Sequence, residues 1–316
     1  MLDVTANCVF WSAGAIMSAQ ISSHAIRLAL ISEGTSAWPL YVAQAKKLFE
    51  HEGIGVEATL TGSSVMQLEQ LIKSGFDIGF QQSDHVIRAV EDGSDLFVFM
   101  AYARAPELSL VVAPDIGSLD ALRAKVIAVD GSRTGYALLL RRLLADRGLN
   151  DGDYAFREFG GSKERFDALK SGTASASLLN PPFDHNLLVA GFKSLGTSTE
   201  FFPTYPGPIG ATRRSWARQN KRRLIAFIRA FDASHAWLKD TSNKKEAIDI
   251  LMSRLNIDAD DAASAYDAFI KGPPPEITPE GMRQVINVVW DVEGYKGAKA
   301  GPEKYMDLGY LRKASR

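Results

Sequence analysis

The sequence predicts an α/β protein with two similar lobes, mainly parallel sheets, flanking helices and a helical C-terminal region. Apolar runs of strand length alternate with helical stretches over most of 26–190, which is typical of right-handed βαβ crossovers. The order strand, turn, helix and strand occurs twice, around TGSS (61–64) and around FGGS (159–162). After a segment rich in proline, glycine and threonine (197–210), helical patterns dominate the rest of the chain.

Eight apolar or alternating runs are predicted as strands. Most are short and bounded by glycine, serine, asparagine or aspartate, which favour turns. Ala105, Pro106 and Glu107 separate two of these runs, and we expect the chain to cross between lobes there and again over 197–210. The predicted strands are 26–32, 54–60, 76–81, 95–104, 108–114, 126–130, 154–160 and 173–180.

The predicted helices begin at residues that commonly cap or open a helix. Ser63 or Ser64 is expected to cap one helix, Ser83 or Asp84 the next, and Ser162 a third. Thr278 before Pro279 and Glu280 also marks a helix start. The predicted helices are 39–53, 63–75, 83–90, 118–125, 137–149, 163–172, 183–190, 213–219, 221–239, 244–255, 258–270 and 278–292.

Composition narrows the function classes. The chain has 316 residues, room for about two domains, and its 46% hydrophobic and 23% charged content is ordinary for a globular protein. The net charge of −1 gives no electrostatic reason to expect nucleic acid as a partner. The Lys/Arg-rich run 211–223 leads into apolar helical spacing, so we interpret it as a solvated helix face. A single cysteine, Cys8, excludes an internal disulfide and a cysteine-cluster metal site.

The N-terminal segment has the character of an export signal. Residues 8–21 are uncharged and mostly apolar or small, too few to span a membrane. Ser23 and Ala25 occupy the small-residue positions of a signal-peptidase site. The first seven residues lack the usual positive charge, so the signal is atypical. We predict that 1–25 is an export signal and that the protein is periplasmic, with a loosely packed tail as the alternative.

The candidate ligand site follows from topology. Residues just after the carboxyl ends of strands line the binding edge of an open α/β sheet, and helix N-termini there favour anionic or dipolar ligands. The candidates on the first lobe are Glu33, Trp38, Gly62, Ser63, Ser64, Gln82, Ser83 and Asp84. Those on the second lobe are Ser132, Arg133, Thr134, Gly161, Ser162 and Asn180.

Each candidate also has a purely structural interpretation. The serines can simply cap their own helices, Trp38 can belong to the core, and Arg133 can be solvent-exposed. If they face a ligand, Trp38 would stack on a flat or cationic group and Arg133 would pair with a carboxylate or sulfonate. Asp84 and Glu33 instead favour a ligand that bears an amine. The charge of the ligand therefore stays open at this point.

Enzyme signatures are missing from the sequence. It contains no Walker A, GxGxxG, HExxH or GxSxG motif, and its five histidines are scattered without metal-ligand spacing. Catalytic pairs assembled only by folding would leave no such trace. We predict no enzymatic activity, no metal and no cofactor.

The ordered motifs resemble the substrate-binding proteins of bacterial ABC uptake transporters, specifically the group for nitrate, sulfonate and taurine and for thiamine-pyrimidine precursors. The resemblance covers most of 26–311, and the set and its order are more specific than any one piece. The stretches that carry it are WPLYVAQAKKLFEHEGIGVEATLTGSS, QLEQLIKSGFDIGF, IGSLDALRAKVIAVDGS, RFDALKSGTASASLLNPP and YMDLGYL.

The resemblance implies a two-lobed periplasmic-binding-protein type II fold with ligand held in the cleft. Lobe 1 would comprise 26–104 and 207–316, and lobe 2 would comprise 105–206. The implied partners are a small organic or oxyanion ligand of sulfonate, carboxylate or pyrimidine type and a membrane permease, with the protein itself a monomer. Alternatives are an enzyme of thiamine-precursor metabolism and a ligand-sensing module. An enzymatic branch uses a cysteine-rich iron motif, and Cys8 alone cannot supply it.

Overall fold

The computed structural model describes residues 25–105 and 108–315. The predicted export signal therefore lies outside the described residues except for its last position, and it stays a prediction. Among the described residues, no helix combines the length and apolar character that a membrane crossing needs.

Ten strands form two five-stranded sheets within the described ranges. The strands of the first sheet are β1 (Ile26–Leu30), β2 (Val56–Leu60), β3 (Ile78–Gln81), β4 (Leu96–Ala101) and β10 (Ile209–Arg213). Their order across the sheet is β2-β1-β3-β10-β4. β1 runs parallel to β2, whereas β10 runs antiparallel to β4 with a bulge after Gly210.

The second sheet is mixed rather than mainly parallel. Its strands are β5 (Ser109–Val112), β6 (Val126–Val129), β7 (Ala155–Glu158), β8 (Ala176–Leu179) and β9 (Lys193–Thr197), in the order β7-β6-β8-β5-β9. β6 pairs in parallel with β7 and β8, while β5 is antiparallel to β8 and β9.

Helices connect and follow these strands, as the alternation in the sequence predicts. The helices are α1 (Trp38–Ala45), α2 (Leu48–His51), α3 (Ser64–Ile72), α4 (Ser83–Glu91), α5 (Gly135–Ala145), α6 (Ser162–Lys170), α7 (Phe183–Val189), α8 (Ser198–Phe201), α9 (Arg214–Gln219), α10 (Lys221–Lys239), α11 (Lys244–Leu255), α12 (Ala259–Lys271), α13 (Pro279–Glu293) and α14 (Gly309–Ala314).

The chain divides into two compact units, and the division falls inside β3. The first unit ends at Gly79 and resumes over Trp216–Ile270 and from Tyr310 onward. The second unit comprises Phe80–Ser215 and Lys271–Gly309, so it holds the whole second sheet together with β4, β10, α4 and α13.

Two predicted helices are wrong in extent. The helix expected over 39–53 breaks at Lys47, whose φ of 55° lies in the left-handed region. This turn brings Phe49 into the core, where it stacks on Phe227 with ring centroids 5.5 Å apart, so tertiary packing overrides local helix propensity. The predicted helix 118–125 is one 3₁₀ turn over Asp120–Leu122, because Arg123 already has extended backbone angles.

The segment 193–213 contains two strands that the sequence did not reveal. Each of these strands, β9 and β10, contains a glycine and lacks a long run of β-branched residues. Their composition is therefore more typical of turns than of strands. The Lys/Arg-rich run also begins inside β10, where Arg213 is buried. Only its later part lies on exposed turns of α9 and α10, as predicted.

Helix capping is confirmed at one of the three predicted positions. Ser63 is the N-cap of α3, and its Oγ accepts a hydrogen bond from the Met66 backbone N–H at 3.3 Å. The predictions at α4 and α6 are wrong, because the N-caps there are Gln82 and Gly161, neither of which makes a side-chain capping bond. Ser83 and Ser162 are instead the first helical residues, which leaves their hydroxyls available for other contacts.

Tyr305 gives the fold a predictable response to alkaline pH. Burial, and the hydrogen bond that its hydroxyl donates to Glu91, raise the pKa of Tyr305 to about 12. Because this pKa exceeds the unfolded value near 10, the stabilisation is complete below pH 10 and is lost as pH rises toward 12. Between pH 9 and pH 11 we expect wild type to lose about 1 kcal/mol more unfolding free energy than Tyr305→Phe. Urea titrations at each pH measure this free energy, and an equal loss between pH 9 and pH 11 in the two proteins would contradict the prediction.

Candidate functional site

The N-termini of α4 and α5 lie close together in the second unit. Each helix follows the carboxyl end of a strand, α4 after β3 and α5 after β6. A hypothetical Cβ on Gly135, the first residue of α5, would lie only 2.8 Å from Asp84 Oδ1 on α4. The structure therefore brings Ser83 and Asp84 next to the turn that contains Ser132, Arg133 and Thr134.

Four neighbouring residues at the start of α4 carry buried polar atoms without a hydrogen-bond partner among the described residues. They are Gln81, Ser83, Asp84 and His85, called here the α4 polar cluster. The unpartnered atoms are both amide atoms of Gln81, the Ser83 hydroxyl, Asp84 Oδ1 and His85 Nδ1. A buried polar group without a partner costs about 1–3 kcal/mol, so such a concentration indicates a site that meets a ligand.

Asp84 is the centre of this cluster. Its side chain is fully buried, and Oδ2 accepts a charge-assisted hydrogen bond from Arg88 Nη2 at 2.5 Å, one helical turn away. His85 Nε2 lies 3.7 Å from the same oxygen. The other oxygen, Oδ1, points to the first residue of α5 and accepts no hydrogen bond from the described residues.

Arg88 extends the site into an alternating chain of charges. Its Nη1 lies 3.5 Å from Glu293 Oε1, at the end of α13, and Glu293 Oε2 accepts from Arg133 Nη2 at 2.5 Å. Arg133 is thus held beside the polar cluster by Glu293, although most of its side chain stays exposed. Glu293 at the end of α13 therefore pairs with cations from both α4 and the α5 turn.

Two tyrosines close to Asp84 stay protonated. Burial is the main cause that raises the pKa of Tyr136 and of Tyr205, and the negative charge of Asp84 raises both further. Their hydroxyls are therefore neutral hydrogen-bonding groups across the physiological pH range. Tyr102 lies near Tyr136 and stacks on Phe80 with ring centroids 3.9 Å apart.

The remaining second-unit candidates are engaged at the ends of the second sheet. The Ser132 backbone N–H donates to Glu158 Oε1 at 2.8 Å, and Thr134, the N-cap of α5, donates through Oγ1 to Asp130 Oδ1 at 2.7 Å. Asn180 accepts from the Ser162 hydroxyl, and Gly161 precedes Ser162 as the N-cap of α6. Their polar groups are largely occupied by these contacts, and their role in ligand binding stays a prediction.

The first-unit candidates serve local structure. Trp38 is buried, donates from Nε1 to the Ala247 carbonyl at 3.2 Å, and packs against aromatic rings. Glu33 pairs with Arg254 Nε at 3.2 Å. Gly62 has a φ of 66° in the turn before α3, Ser63 caps that helix, and Ser64 is its first residue. A role of these five residues in ligand binding remains a prediction.

Sequence reasoning missed six residues of the site. They are Gln81, His85, Arg88, Tyr136, Tyr205 and Glu293. Gln81 and His85 flank predicted residues, and a polar residue at the end of a buried strand is a usable signal. Tyr205 and Glu293 could not be found, because only tertiary folding brings the 197–210 segment and α13 to α4. No group of three or more metal-ligating His, Cys, Asp or Glu side chains occurs in the described ranges.

Gly135 is required where α4 meets α5. An alanine methyl group there would contact Asp84 Oδ1 at 2.8 Å and Tyr205 Oη at 3.6 Å. We expect Gly135→Ala to lower the unfolding free energy by about 1–2 kcal/mol and to weaken ligand binding, because Asp84 must move. Urea titration and a binding assay check both effects. At Gly117 a Cβ would meet no atom of the described residues within 4 Å, so an equal loss of stability in Gly117→Ala would contradict the assignment to this contact.

Comparison with known proteins places the chain in a family. The family model described as NMT1/THI5 like matches residues 35–244, more than half of the chain. The chain belongs to the NMT1/THI5-like family. A sequence search of curated proteins gives no match.

Several solved structures share the fold of this chain. The periplasmic aliphatic sulphonate binding protein SsuA from Escherichia coli is 17% identical, with 89% of this chain and 91% of that chain covered and a TM-score of 0.69. The periplasmic nitrate-binding protein NrtA from Synechocystis PCC 6803 is 18% identical, with 92% and 88% covered and a TM-score of 0.68. The Candida albicans CA3427 gene product, described as having the generic periplasmic binding protein fold, is 15% identical, with 90% and 96% covered and a TM-score of 0.69. The predicted periplasmic-binding-protein fold with a helical C-terminal region is confirmed.

Proposed function

We propose that this NMT1/THI5-like protein is the solute-binding component of an ABC uptake transporter. In this role it captures a small organic or oxyanion ligand, of sulfonate, carboxylate or pyrimidine type, and delivers it to a membrane permease. The observation that carries the proposal is the α4 polar cluster, whose buried polar atoms lack partners among the described residues at the point where two helix N-termini meet. Similar proteins of this fold are named as binders of sulfonate and nitrate.

The proposed mechanism is a shift between open and closed states. The strands of the first sheet lie within 26–101 and 209–213, and those of the second sheet lie within 109–197. We propose that the first sheet is the core of lobe 1 (26–104 plus 207–316) and that the second sheet is the core of lobe 2 (105–206). A ligand that forms hydrogen bonds with both the α4 polar cluster and the α5 turn binds the closed state more tightly than the open state. Its binding therefore shifts the equilibrium toward the closed state. The protein acts as an exported monomer in the periplasm, without cofactor, metal or chemical turnover.

Thermal unfolding against a panel of sulfonates, carboxylates and pyrimidines tests this function. A cognate ligand at 100 times its Kd adds about 2.7 kcal/mol to the unfolding free energy, enough to raise the Tm by roughly 5 °C. Mass spectrometry of the same mixtures should show the ligand unchanged. Gln81→Leu should lose most of the rise. A panel without any ligand-dependent shift, or a ligand converted to product, would contradict the proposal.

A further inference from the structure

The α4 polar cluster presents an acceptor that needs a donor from outside the protein. A carboxylate oxygen can only accept hydrogen bonds, and Asp84 Oδ1 has no donor among the described residues although it is fully buried. The Gln81 amide and the Ser83 hydroxyl adapt to either a donor or an acceptor, and His85 Nδ1 does so by tautomer. Asp84 therefore decides which kind of ligand atom fits beside it.

The charge around Asp84 also favours a cation. Asp84 and Glu293 are two carboxylates against one guanidinium, Arg88, and the exposed fractions of these side chains are 0%, 13% and 14%. Arg133 completes the chain of charges but is 70% exposed, so water screens its contribution. Asp130, which faces Tyr136, adds further negative charge, and His85 offsets one charge only when its ring is protonated. The buried part of the site is one positive charge short.

The positive end of the α5 dipole does not reverse this conclusion. A helix N-terminus attracts an anion, but Asp84 from α4 already lies against Gly135, so the chain supplies that anion itself. An external oxyanion at this point would have to displace a carboxylate that is held by Arg88 at 2.5 Å. It would also meet Asp84 Oδ1, which can only repel it.

We propose that the ligand of this site carries a cationic N–H group, of ammonium or amidinium type, which donates to Asp84 Oδ1. A second N–H of the same group would donate to the side-chain amide oxygen of Gln81, Oε1. The neutral hydroxyls of Tyr136 and Tyr205 border the site. This inference rests on the proposed function and narrows its ligand class. Under this inference the ligand of the chain is a cation rather than an oxyanion.

Three probes of one shape but different charge test the proposal on the full chain. Benzoate, benzamide and benzamidinium present an acceptor-only anion, a neutral amide and a donor-only cation. Calorimetric titration of wild type should rank benzamidinium tightest, by at least about tenfold over benzamide, with benzoate weakest. Asp84→Asn should abolish this ranking. Asp77→Asn is the matched control, because it alters another buried aspartate paired with an arginine, Arg27, and it should keep the wild-type order.

The outcomes separate the inference from the proposed function. Tightest binding by benzoate, equal binding of the three probes, or an unchanged ranking in Asp84→Asn would overturn the cationic assignment and leave ligand capture standing. The same holds if benzamidinium does not bind at 10 mM while the wider panel yields a ligand without a cationic N–H group. Failure of both the probes and the panel would overturn the proposed function itself. If Asp84→Asn does not fold, Gln81→Leu, which keeps the Asp84–Arg88 pair, should weaken benzamidinium at least about fivefold.

Discussion

Trp38→Ala is expected to lower the free energy of unfolding by about 3–5 kcal/mol, the range for truncating a large buried aromatic side chain. Trp38 is 1% exposed, and its ring lies 6.0 Å from the Tyr266 ring and 5.8 Å from the Phe269 ring, measured between centroids. The substitution leaves a cavity beside the Tyr266 and Phe269 rings. It also removes the indole N–H that donates to the Ala247 carbonyl. Urea titration followed by circular dichroism measures the loss.

A second substitution, Trp38→Phe, distinguishes the two interpretations of Trp38. If the residue belongs only to the core, Trp38→Phe should lose part of the stability while ligand affinity changes less than about threefold. Trp237, which is less buried, is the matched tryptophan, and Trp237→Ala should cost clearly less than Trp38→Ala. Nearly wild-type stability together with abolished binding in Trp38→Phe would show instead that Trp38 stacks on the ligand.

Gly207→Ala is expected to lower the unfolding free energy by about 3 kcal/mol, near the upper end for overpacking. A Cβ at this position would lie 2.3 Å from the Ala103 carbonyl oxygen and 2.3 Å from the Ala105 backbone nitrogen. Both neighbours are main-chain atoms, so no side-chain rotation can relieve the contact. The adjacent hydrogen bond from the Tyr102 N–H to the Pro208 carbonyl, 3.0 Å long, would also be strained.

Gly207 lies where two predicted crossings between lobes meet, so its substitution should also affect ligand binding. Ala105 and Gly207 belong to these predicted crossings, and we expect a change in their spacing to alter the hinge that our proposal requires. Thermal unfolding with and without ligand measures both effects. Gly117→Ala should behave as wild type, because this position is exposed and an added Cβ would have no neighbour within 4 Å in the described ranges. Equal stability of the two variants would contradict the close packing of the crossings.

The sequence predicts most of the fold because hydrophobic periodicity and turn residues act locally. β1, β3 and α10 lie where apolar spacing places them, and Ser63 caps α3 as expected. The failures are tertiary in origin. Packing of Phe49 against Phe227 requires the break at Lys47, and β9 and β10 gain their strand character from their neighbours in the sheets.

The sequence predicted part of the candidate site, including Asp84 at its centre, but not most of the residues that surround Asp84. Topology nominated Ser83 and Asp84 because they follow a strand. The structure shows both buried, each with a polar atom that has no hydrogen-bond partner in the part of the chain that the structure describes. The sequence does not reveal that Glu293 joins Arg88 to Arg133, because more than 200 residues separate Arg88 from Glu293. The net charge of the site depends on these side chains, which only tertiary folding brings together. The charge of the ligand therefore could not be predicted from local motifs.

Native mass spectrometry tests the central claim, that the chain captures a small ligand at the α4 polar cluster. Wild type and Asp84→Asn are incubated with the same small-molecule extract and compared under non-denaturing conditions. We predict one additional small-molecule mass per wild-type chain, lost on denaturation, with occupancy lowered at least about tenfold in Asp84→Asn. No additional mass on wild type, or equal occupancy in the two proteins, would contradict the claim.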